Sequence, residues 1–222
     1  MNIDTIISTI AVYAIPVLFA ISLHEAAHGY IARYFGDPTA ADQGRLSINP
    51  IRHIDPFGTI LLPLALYVSV GVPFGYAKPV PVDYSRLRNP KKQMALVALG
   101  GPLANFAMGF VWLLFLIVLL AAGVQEPFFQ KMAHAGIAVN AAMCVFNLIP
   151  IPPLDGGRIM TGLLPMSLAR PYASIERYSL FVFIGLIVLM QMHVLDGALI
   201  KSMRFVVSAF HLLATPFTLL LS

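Results

Sequence analysis

The chain has 222 residues, of which 59% are hydrophobic and only 11% are charged, whereas soluble domains carry roughly 25% charged residues. This composition argues against a water-soluble globule, and we predict one integral-membrane domain over residues 1–222, with a core at about 6–165 and further helices at about 170–222. The formal charge is +4, but eight of the fourteen Lys and Arg lie in short segments between residues 33 and 92. No nucleic-acid partner is therefore expected, and this stretch is assigned to the cytoplasmic side. The single cysteine, Cys144, excludes an intramolecular disulfide.

The first apolar stretch, Ile6–Leu23, has the roughly 18 residues of a transmembrane helix candidate. The helix is expected to continue beyond it, and Gly36-Asp37-Pro38 predicts where it stops. The N-terminal region carries Asp4 and no Lys or Arg before Arg33, so it lacks the basic part of a cleavable signal peptide. We therefore expect this helix to be retained, with the N-terminus extracytoplasmic.

Two segments that follow the first helix are predicted to be extended. Residues 39–55 are of mixed polarity, with Leu46-Ser47-Ile48 as a short strand candidate before Asn49-Pro50, and they predict a loop or small β-hairpin. The Pro-rich segment Gly75–Val82 is predicted to be a loop or at most an edge strand, because proline cannot donate to a ladder.

Between these segments lies a second apolar run, Phe57–Val72, which is somewhat short for a spanning helix and contains Pro63. It is either a re-entrant element or a short span. We favour the re-entrant element, because a full crossing would place the basic residues 78–92 on the opposite side from Arg45 and Arg52.

The remaining apolar segments predict further helices. Met94–Ala122 is long enough to span, and Ala135–Ile149 then returns the chain to the cytoplasmic side. A helix is expected up to Leu164, followed by a span at about Tyr178–Met192, whereas Leu195–Leu221 is either a weak span or an interfacial helix. The predicted fold class is an all-α polytopic membrane protein with about four to six transmembrane or re-entrant helices and a short β-hairpin-like insertion after the first helix.

His24-Glu25-Ala26-Ala27-His28 places two imidazoles four residues apart on one face of the first helix, where both can bind one zinc ion. Glu25, beside the first of them, can act as a base toward water. The alternative is a pair of histidines on a soluble helix surface or satisfied by hydrogen bonds. The apolar run before them disfavours that alternative, because ionisable residues inside a membrane are costly unless they bind something.

A catalytic zinc site usually has three protein ligands and one open position, so a third ligand must come from elsewhere. Asp155 is a candidate because it follows a returning apolar segment and a Pro-rich turn, and Gly156 and Gly157 permit a tight backbone path. An ordinary turn is the competing interpretation. His53 and Asp55 are rival ligands, although they are more simply a turn with a helix-capping carboxylate.

Three motifs, in this order, resemble the site-2 protease family of intramembrane zinc metalloproteases: His24-Glu25-Ala26-Ala27-His28, Gly101-Pro102-Leu103-Ala104-Asn105 and Asn147-Leu148-Ile149-Pro150-Ile151-Pro152-Pro153-Leu154-Asp155-Gly156-Gly157-Arg158. The resemblance implies that His24, His28 and Asp155 bind the zinc ion. It implies that Glu25 is the catalytic base. Asn105 and Asn147 match family positions that hold substrate or stabilise the transition state, with hydrogen bonds between packed helices as the alternative.

The resemblance is to the compact branch of this family, because the chain has no room for a PDZ domain or a C-terminal nucleotide-sensing domain. It implies an endopeptidase in the lipid bilayer of the cell membrane that hydrolyses membrane-spanning or membrane-associated proteins. The site is expected to open toward the cytoplasm, since Arg33 lies five residues beyond His28, a rise of about 8 Å along a helix. Extended segments around residues 45–48 and 76–82 could pair with substrate as an added strand.

Two other functions stay open at this point. One is a membrane zinc-binding protein without peptidase activity, such as a metal carrier or an inactive scaffold, although a carrier would more plausibly show ionisable residues at mid-membrane on several helices. The other is a membrane-anchored peptidase that acts on soluble peptides. The sequence names neither the substrate nor the oligomeric state.

Overall fold

The computed structural model describes residues 3–62, 64–66 and 78–221. Helices account for 80% of the described residues, and no strand occurs among them. We number the main helices α1 (Ile3–Tyr34), α2 (Thr39–Asp42), α3 (Pro90–Ala121), α4 (Pro127–Asn147), α5 (Asp155–Leu163), α6 (Met166–Ala173), α7 (Ser179–Gln191) and α8 (Asp196–Leu221). Short 3-10 helices cover Pro50–His53, Tyr84–Arg86 and Ser174–Tyr178, and a π-helical segment covers Pro56–Leu61.

Helix α1 runs through the histidine motif and ends where the sequence predicts. Asp4 in its first turn and Arg33 in its last turn are placed favourably in the field of the helix dipole. Gly36 has a φ of +113°, a conformation that favours glycine after a helix. The amide of Asp37 then donates to the carbonyl of Ala32, so the predicted stop signal is confirmed.

Helix α3 lies at the centre of the fold and packs against α1, α4, α5 and α8. Small residues let these helices approach closely: a Cβ atom on Gly136 would lie 2.2 Å from the Trp112 ring, and one on Gly109 would lie 2.5 Å from the Phe210 ring. A buried apolar cluster joins α3, α4 and α8 and contains Leu113, Leu116, Ala133, Ile137, Ala141, Val206, Phe210 and Ala214. Because α1 and α5 both pack on α3, the two halves of the predicted metal site share one support.

Four stretches of the described chain are long and apolar enough to cross a membrane, namely Ile7–Tyr34, Pro90–Ala121, Met166–Gln191 and Asp196–Leu219. The outward face of α7 illustrates the surface that they present: Leu180 and Phe181 are 68% and 71% exposed. Extended apolar surfaces of this kind are unfavourable in water and match the hydrocarbon interior of a bilayer. The chain is a multi-pass membrane protein.

The last segment of the chain, which the sequence left undecided, forms the 26-residue helix α8. Its residues Val206, Phe210 and Ala214 are buried against α3 and α4. By length and composition it is one of the four candidate spans, which favours a span over an interfacial helix.

The predicted β-hairpin-like insertion after the first helix is wrong. Residues 39–42 form the short helix α2, and the amides of Arg45 and Leu46 both donate to the carbonyl of Ala40. Residues 46–48 are not a strand. Segment 78–82 contacts this region without forming a strand: the Lys78 amide donates to the His53 carbonyl over 3.1 Å, and Arg45 Nη2 donates to the Lys78 carbonyl over 3.1 Å. Two prolines in that segment lack the N–H that a ladder requires.

The apolar run Phe57–Val72 is described only in its first part. Asp55 caps it, since its Oδ1 accepts a hydrogen bond from the Gly58 amide over 2.6 Å. Residues 67–77 lie outside the described residues, so the re-entrant element and the first part of the extended segment 75–82 stay predictions. Residues 78–82 are neither helix nor strand, as expected for a loop.

Candidate metal centre

The two histidines of the first motif lie one helical turn apart on α1, and the Nε2 atom of each ring points toward the other ring. Their Nε2 atoms are 3.2 Å apart, and their rings are nearly perpendicular, with centroids 4.7 Å apart. His24 is 5% exposed, and the His28 side chain is 12% exposed. A buried pair of nitrogens that faces the same point is the geometry that the four-residue spacing predicts for a shared ion.

Asp155, the first residue of α5, completes the cluster. Its Oδ2 lies 3.1 Å from Nε2 of His24, and its Oδ1 lies 3.4 Å from Nε2 of His28. One ligand atom from each of the three residues lies within 4.8 Å of the others. Among the described residues, this is the group of three or more His, Cys, Asp or Glu side chains that could hold a metal ion.

The turn before α5 brings Asp155 to this position. A Cβ atom on Gly156 would lie 2.3 Å from the carbonyl oxygen of Leu148, and one on Gly157 would lie 2.3 Å from the nitrogen of Pro152. Neither clash can be relieved by a flexible side chain, because the neighbouring atoms are backbone. The two glycines are therefore required for the tight path, as the sequence indicated.

Three observations test whether these residues fit a metal ion. Oδ2 of Asp155 is buried and makes no hydrogen bond to a described residue, although a carboxylate oxygen buried without a partner is costly. A Cβ atom on Gly101 would lie 2.6 Å from Nε2 of both His24 and His28, so the absence of a side chain there leaves room beside the ligand atoms. Two imidazoles and one carboxylate are also the donor types that zinc prefers. The residues fit a zinc ion.

Hydrogen bonds on the far side of each ring orient the two imidazoles. Nδ1 of His28 lies 2.8 Å from the carbonyl oxygen of Val97 on α3. Since a carbonyl can only accept, Nδ1 carries the proton and Nε2 presents a lone pair. Nδ1 of His24 lies 2.6 Å from Oδ1 of Asn105, also on α3. Such partners fix the tautomer and the ring angle of metal-binding histidines.

The candidate base, Glu25, lies beside these ligands on α1 and is half-buried. Its Oε2 accepts a hydrogen bond from the backbone amide of Val80 over 2.8 Å. Val80 is 7% exposed and packs where Gly29 leaves space, because a Cβ atom on Gly29 would lie 2.8 Å from its side chain. The loop after the undescribed segment therefore covers α1 directly beside Glu25.

Comparison with known proteins agrees with this geometry. The family model described as "Peptidase family M50" matches residues 12–137 and 121–190 of the chain. The chain belongs to peptidase family M50. The predicted resemblance to the site-2 proteases is thereby confirmed.

The relatives of this M50 peptidase carry names that agree with its motifs. A protein of Bacillus subtilis (strain 168) named "Putative zinc metalloprotease YwhC" is 36% identical over 179 residues, which cover 78% of each chain. A protein of Mycolicibacterium smegmatis named "Putative zinc metalloprotease Rip2" is 28% identical over 172 residues, which cover 77% of this chain and 64% of its own. No solved structure matches the chain.

The two asparagines predicted in the M50 site occupy different environments. Asn105 is 0% exposed and contacts His24 as described. Asn147 is half-buried near the end of α4, and its Nδ2 donates to the carbonyl of Met143 on the same helix over 3.0 Å. The structure thus brings Asn105 to the candidate metal site, while this hydrogen bond of Asn147 stays within its own helix.

The rival ligands His53 and Asp55 do not join the cluster. His53 is 1% exposed, and its Nε2 lies 2.6 Å from the carbonyl oxygen of Ser47. The capping role predicted as the simpler interpretation of Asp55 is confirmed by its hydrogen bond to the Gly58 amide.

Sequence reasoning missed a polar cluster that ties α5 to the neighbouring loops. Arg158 pairs with Glu176 over 2.6 Å, bonds the Tyr84 hydroxyl over 3.3 Å and lies over the Tyr84 ring, 5.9 Å from its centroid. Burial raises the pKa of Tyr84. Burial alone would lower the pKa of Arg158, but Tyr84 and Glu176 outweigh it and raise that pKa. Arg158 is the last residue of the motif that begins at Asn147, whereas nothing in the sequence pointed to Tyr84 or Glu176.

Proposed function

We propose that this chain is an intramembrane zinc metalloprotease that hydrolyses peptide bonds of membrane-spanning or membrane-associated proteins. In this proposal His24, His28 and Asp155 hold one zinc ion, and Glu25 is the catalytic base. The observation that carries it is the convergence of the Asp155 carboxylate with the two Nε2 atoms, beside Glu25. The match to a peptidase family supports the same activity.

The placement of the ligands on α1 supports cleavage within the bilayer. The candidate span Ile7–Tyr34 contains both histidines, and Asp155 reaches them from a turn beside α3 and α4. The outer surfaces of α1 and α3 near this level are apolar, with Phe19 42% exposed and Leu103 55% exposed. Such surfaces suit lipid or an apolar substrate helix rather than a soluble peptide.

The protein groups divide the chemical work between them. A bound zinc ion supplies Lewis acidity, which acidifies water and polarises a carbonyl oxygen. Glu25 accepts the proton of the attacking water on a carboxylate oxygen and returns it to the leaving amine. Helix α3 holds both imidazoles in place through Val97 and Asn105, so the ligands need little rearrangement when the reaction begins.

A transmembrane substrate must unwind before it is cut, because a helix hides its peptide carbonyls in backbone hydrogen bonds. The loop 78–82 lies beside the site and is a place where an unwound segment could bind. Its amides are few, since Pro79 and Pro81 have no N–H, and the Val80 amide already bonds to Glu25. A substrate strand paired along this loop would therefore compete with Glu25 for the Val80 amide.

The proposed orientation places the N-terminus outside and the site toward the cytoplasm. The supporting observation is that two segments, 36–55 and 78–89, both contact the end of α1 that holds the site. Together they carry five basic residues, Arg45, Arg52, Lys78, Arg86 and Arg88. Basic loops favour the cytoplasmic side. We also propose one peptidase domain over residues 1–222, supported by the packing of α1, α4, α5 and α8 on the central helix α3.

Metal analysis of the purified chain beside two single variants tests the ligand set. Wild type should bind one zinc ion, and Asp155→Ala should lose it, because two ligands remain where a catalytic site needs three. Asp55→Ala is the matched control, since it removes a carboxylate that was a rival ligand and should keep the zinc. Loss of zinc from Asp55→Ala with retention in Asp155→Ala would reject the proposed site.

Cleavage of a model transmembrane peptide in proteoliposomes tests the activity. Glu25→Gln should lower cleavage by at least about 100-fold while zinc content stays at the wild-type value. Zinc flux across the same vesicles would indicate a carrier instead. Cleavage of soluble peptides alone, with the transmembrane peptide intact, would replace the intramembrane activity by one at the surface.

A further inference from the structure

A continuous chain of buried amides crosses three helices and ends on a metal-ligand candidate. Nδ2 of Asn140 on α4 donates to the carbonyl of Gly136 over 2.8 Å. Oδ1 of Asn140 accepts from Nδ2 of Asn105 on α3 over 3.1 Å, and that Nδ2 also donates to the carbonyl of Ala20 on α1 over 3.1 Å. Oδ1 of Asn105 then lies 2.6 Å from Nδ1 of His24. Both asparagines are 0% exposed.

Two backbone carbonyls, one bonded to each asparagine, dictate the direction of every hydrogen bond in this chain. A carbonyl only accepts, so Gly136 requires the NH2 group of Asn140 and leaves its oxygen facing Asn105. Ala20 requires the NH2 group of Asn105 for the same reason, and the oxygen of Asn105 must then face His24. An amide oxygen also only accepts, so Nδ1 of His24 carries the proton.

This order of donors has a consequence at the cluster. With its proton on Nδ1, His24 presents a lone pair from Nε2 toward Asp155, 3.1 Å away. That is the tautomer a metal ligand needs. His28 reaches the same tautomer by a separate route, through the carbonyl of Val97, so the amide chain serves His24 alone.

We infer that Asn140 and Asn105 form a positioning relay that holds His24 in its metal-binding tautomer and ring orientation. The inference rests on the proposed function, because it takes His24 as a zinc ligand. Asn140 acts through Asn105 and touches neither the ligand nor the substrate. Its position on α4 makes the geometry of the site on α1 depend on how α3 and α4 pack.

Two features set the relay apart from ordinary bonds between packed helices. Each of the two asparagines bonds to a backbone carbonyl, which can only accept. The relay also ends on His24, a candidate metal ligand. Asn147, on the same helix as Asn140, is the contrasting case, because its Nδ2 donates to the carbonyl of Met143 on its own helix. Gly109 on α3 lets Asn140 approach closely, because a Cβ atom on Gly109 would lie 3.3 Å from the Cβ atom of Asn140.

A double-mutant cycle on metal affinity tests the relay. Zinc affinity of the full chain in nanodiscs is measured by competition with a chelating dye, and cobalt replaces zinc for absorption spectra. Asn105→Leu and Asn140→Leu should each weaken zinc binding by about tenfold or more and change the cobalt bands. The double variant should bind no more weakly than Asn105→Leu, because Asn140 has nothing left to act through.

Two further variants separate positioning from packing. Asn105→Asp keeps the size of the side chain and an oxygen for His24, but places a second oxygen opposite two acceptors, the Ala20 carbonyl and Oδ1 of Asn140. It should therefore weaken zinc binding as Asn105→Leu does, and wild-type affinity in this variant would overturn the relay. Cys144→Ala, one turn from Asn140 on α4 and buried, should leave affinity and spectra unchanged. Additive losses in the double variant, or wild-type affinity and spectra in Asn140→Leu, would overturn the relay.

Nitrogen NMR of zinc-loaded wild type addresses the relay without any variant, and so covers the case in which a variant fails to fold. The expected signal is a protonated Nδ1 and a metal-bound Nε2 on His24, and the opposite assignment overturns the relay. A wild type that binds no metal at His24 would instead overturn the proposed function. Normal zinc binding and cleavage with an unaffected Asn140→Leu would reject the relay alone.

Discussion

The Glu25 carboxylate accepts a hydrogen bond from the Val80 amide over 2.8 Å, joining the first helix to a loop 55 residues further along the chain. The bond places the candidate base under a covering segment rather than in open water. Val80 is itself anchored, because it fills the space that Gly29 leaves on α1. The position of the base is therefore set by two elements, α1 and the loop 78–82.

Val80→Pro removes the amide donor and should lower cleavage by about tenfold, since a hydrogen bond to a charged group contributes roughly 1.5–3 kcal/mol. Pro81 already biases Val80 toward an extended backbone, a conformation that proline also adopts. Initial cleavage rates at saturating and limiting substrate are the measurement, with zinc content as the check on folding. Val80→Ala is the control, because it loses methyl groups but keeps the N–H, and a loss equal to that of Val80→Pro would assign the effect to packing.

Gly101→Ala should weaken zinc binding by about tenfold or more and reduce cleavage in parallel. The added Cβ atom would lie within 2.6 Å of the Nε2 atoms of His24 and His28, so the imidazoles must move from their present positions. Zinc affinity by competition titration is the measurement. Gly185→Ala serves as the control, because nothing lies within 4 Å of a Cβ atom there. Equal affinities in the two variants would show that the space beside the imidazoles is not needed.

Removal of the metal should destabilise the chain, because Asp155 is then left buried without a hydrogen-bond partner for Oδ2 among the described residues. A ligand present at 100 times its Kd stabilises the folded state by about 2.7 kcal/mol. A chelator should therefore lower the melting temperature of wild type, and added zinc should restore it. Asp155→Ala should not respond to either treatment. A chelator effect of the same size in that variant would place the stabilising metal elsewhere.

The ion pair between Arg158 and Glu176 should contribute modestly to stability. Their side chains are 33% and 44% exposed, and pairs of this kind typically contribute about 0.2–1 kcal/mol. Arg158→Met, Glu176→Gln and the double variant, unfolded in mixed micelles, form the cycle that measures the coupling energy. Tyr84→Phe is a separate arm, since it removes the hydroxyl that Arg158 contacts but keeps the ring. A coupling energy of zero would mean that the contact does not hold α5 in place.

Several parts of the fold were predictable because they depend on local chemistry. The end of α1 follows from Gly36, which adopts a φ of +113°. Because residues four apart share one face of a helix, His24 and His28 were expected to face the same point. The capping role of Asp55 was likewise predictable from its position directly before a proline. The β-hairpin was predicted wrongly. A sequence pattern can indicate that residues 46–48 avoid a helix, but it does not show which backbone groups they will bond.

By itself, the sequence determined the membrane class, the paired imidazoles on α1, the tight turn at Gly156 and Gly157, and the family. The first three follow from composition, helix periodicity and backbone sterics, which act within a few residues, whereas the family follows from the resemblance of three motifs. Residue chemistry left Asp155, His53 and Asp55 open as the third ligand and the resemblance favoured Asp155, but only the tertiary structure shows that the Asp155 carboxylate meets those imidazoles. It also decided that Glu25 bonds to Val80. Such contacts depend on how distant helices pack, and side chains far apart in the chain carry no local signal of their neighbours.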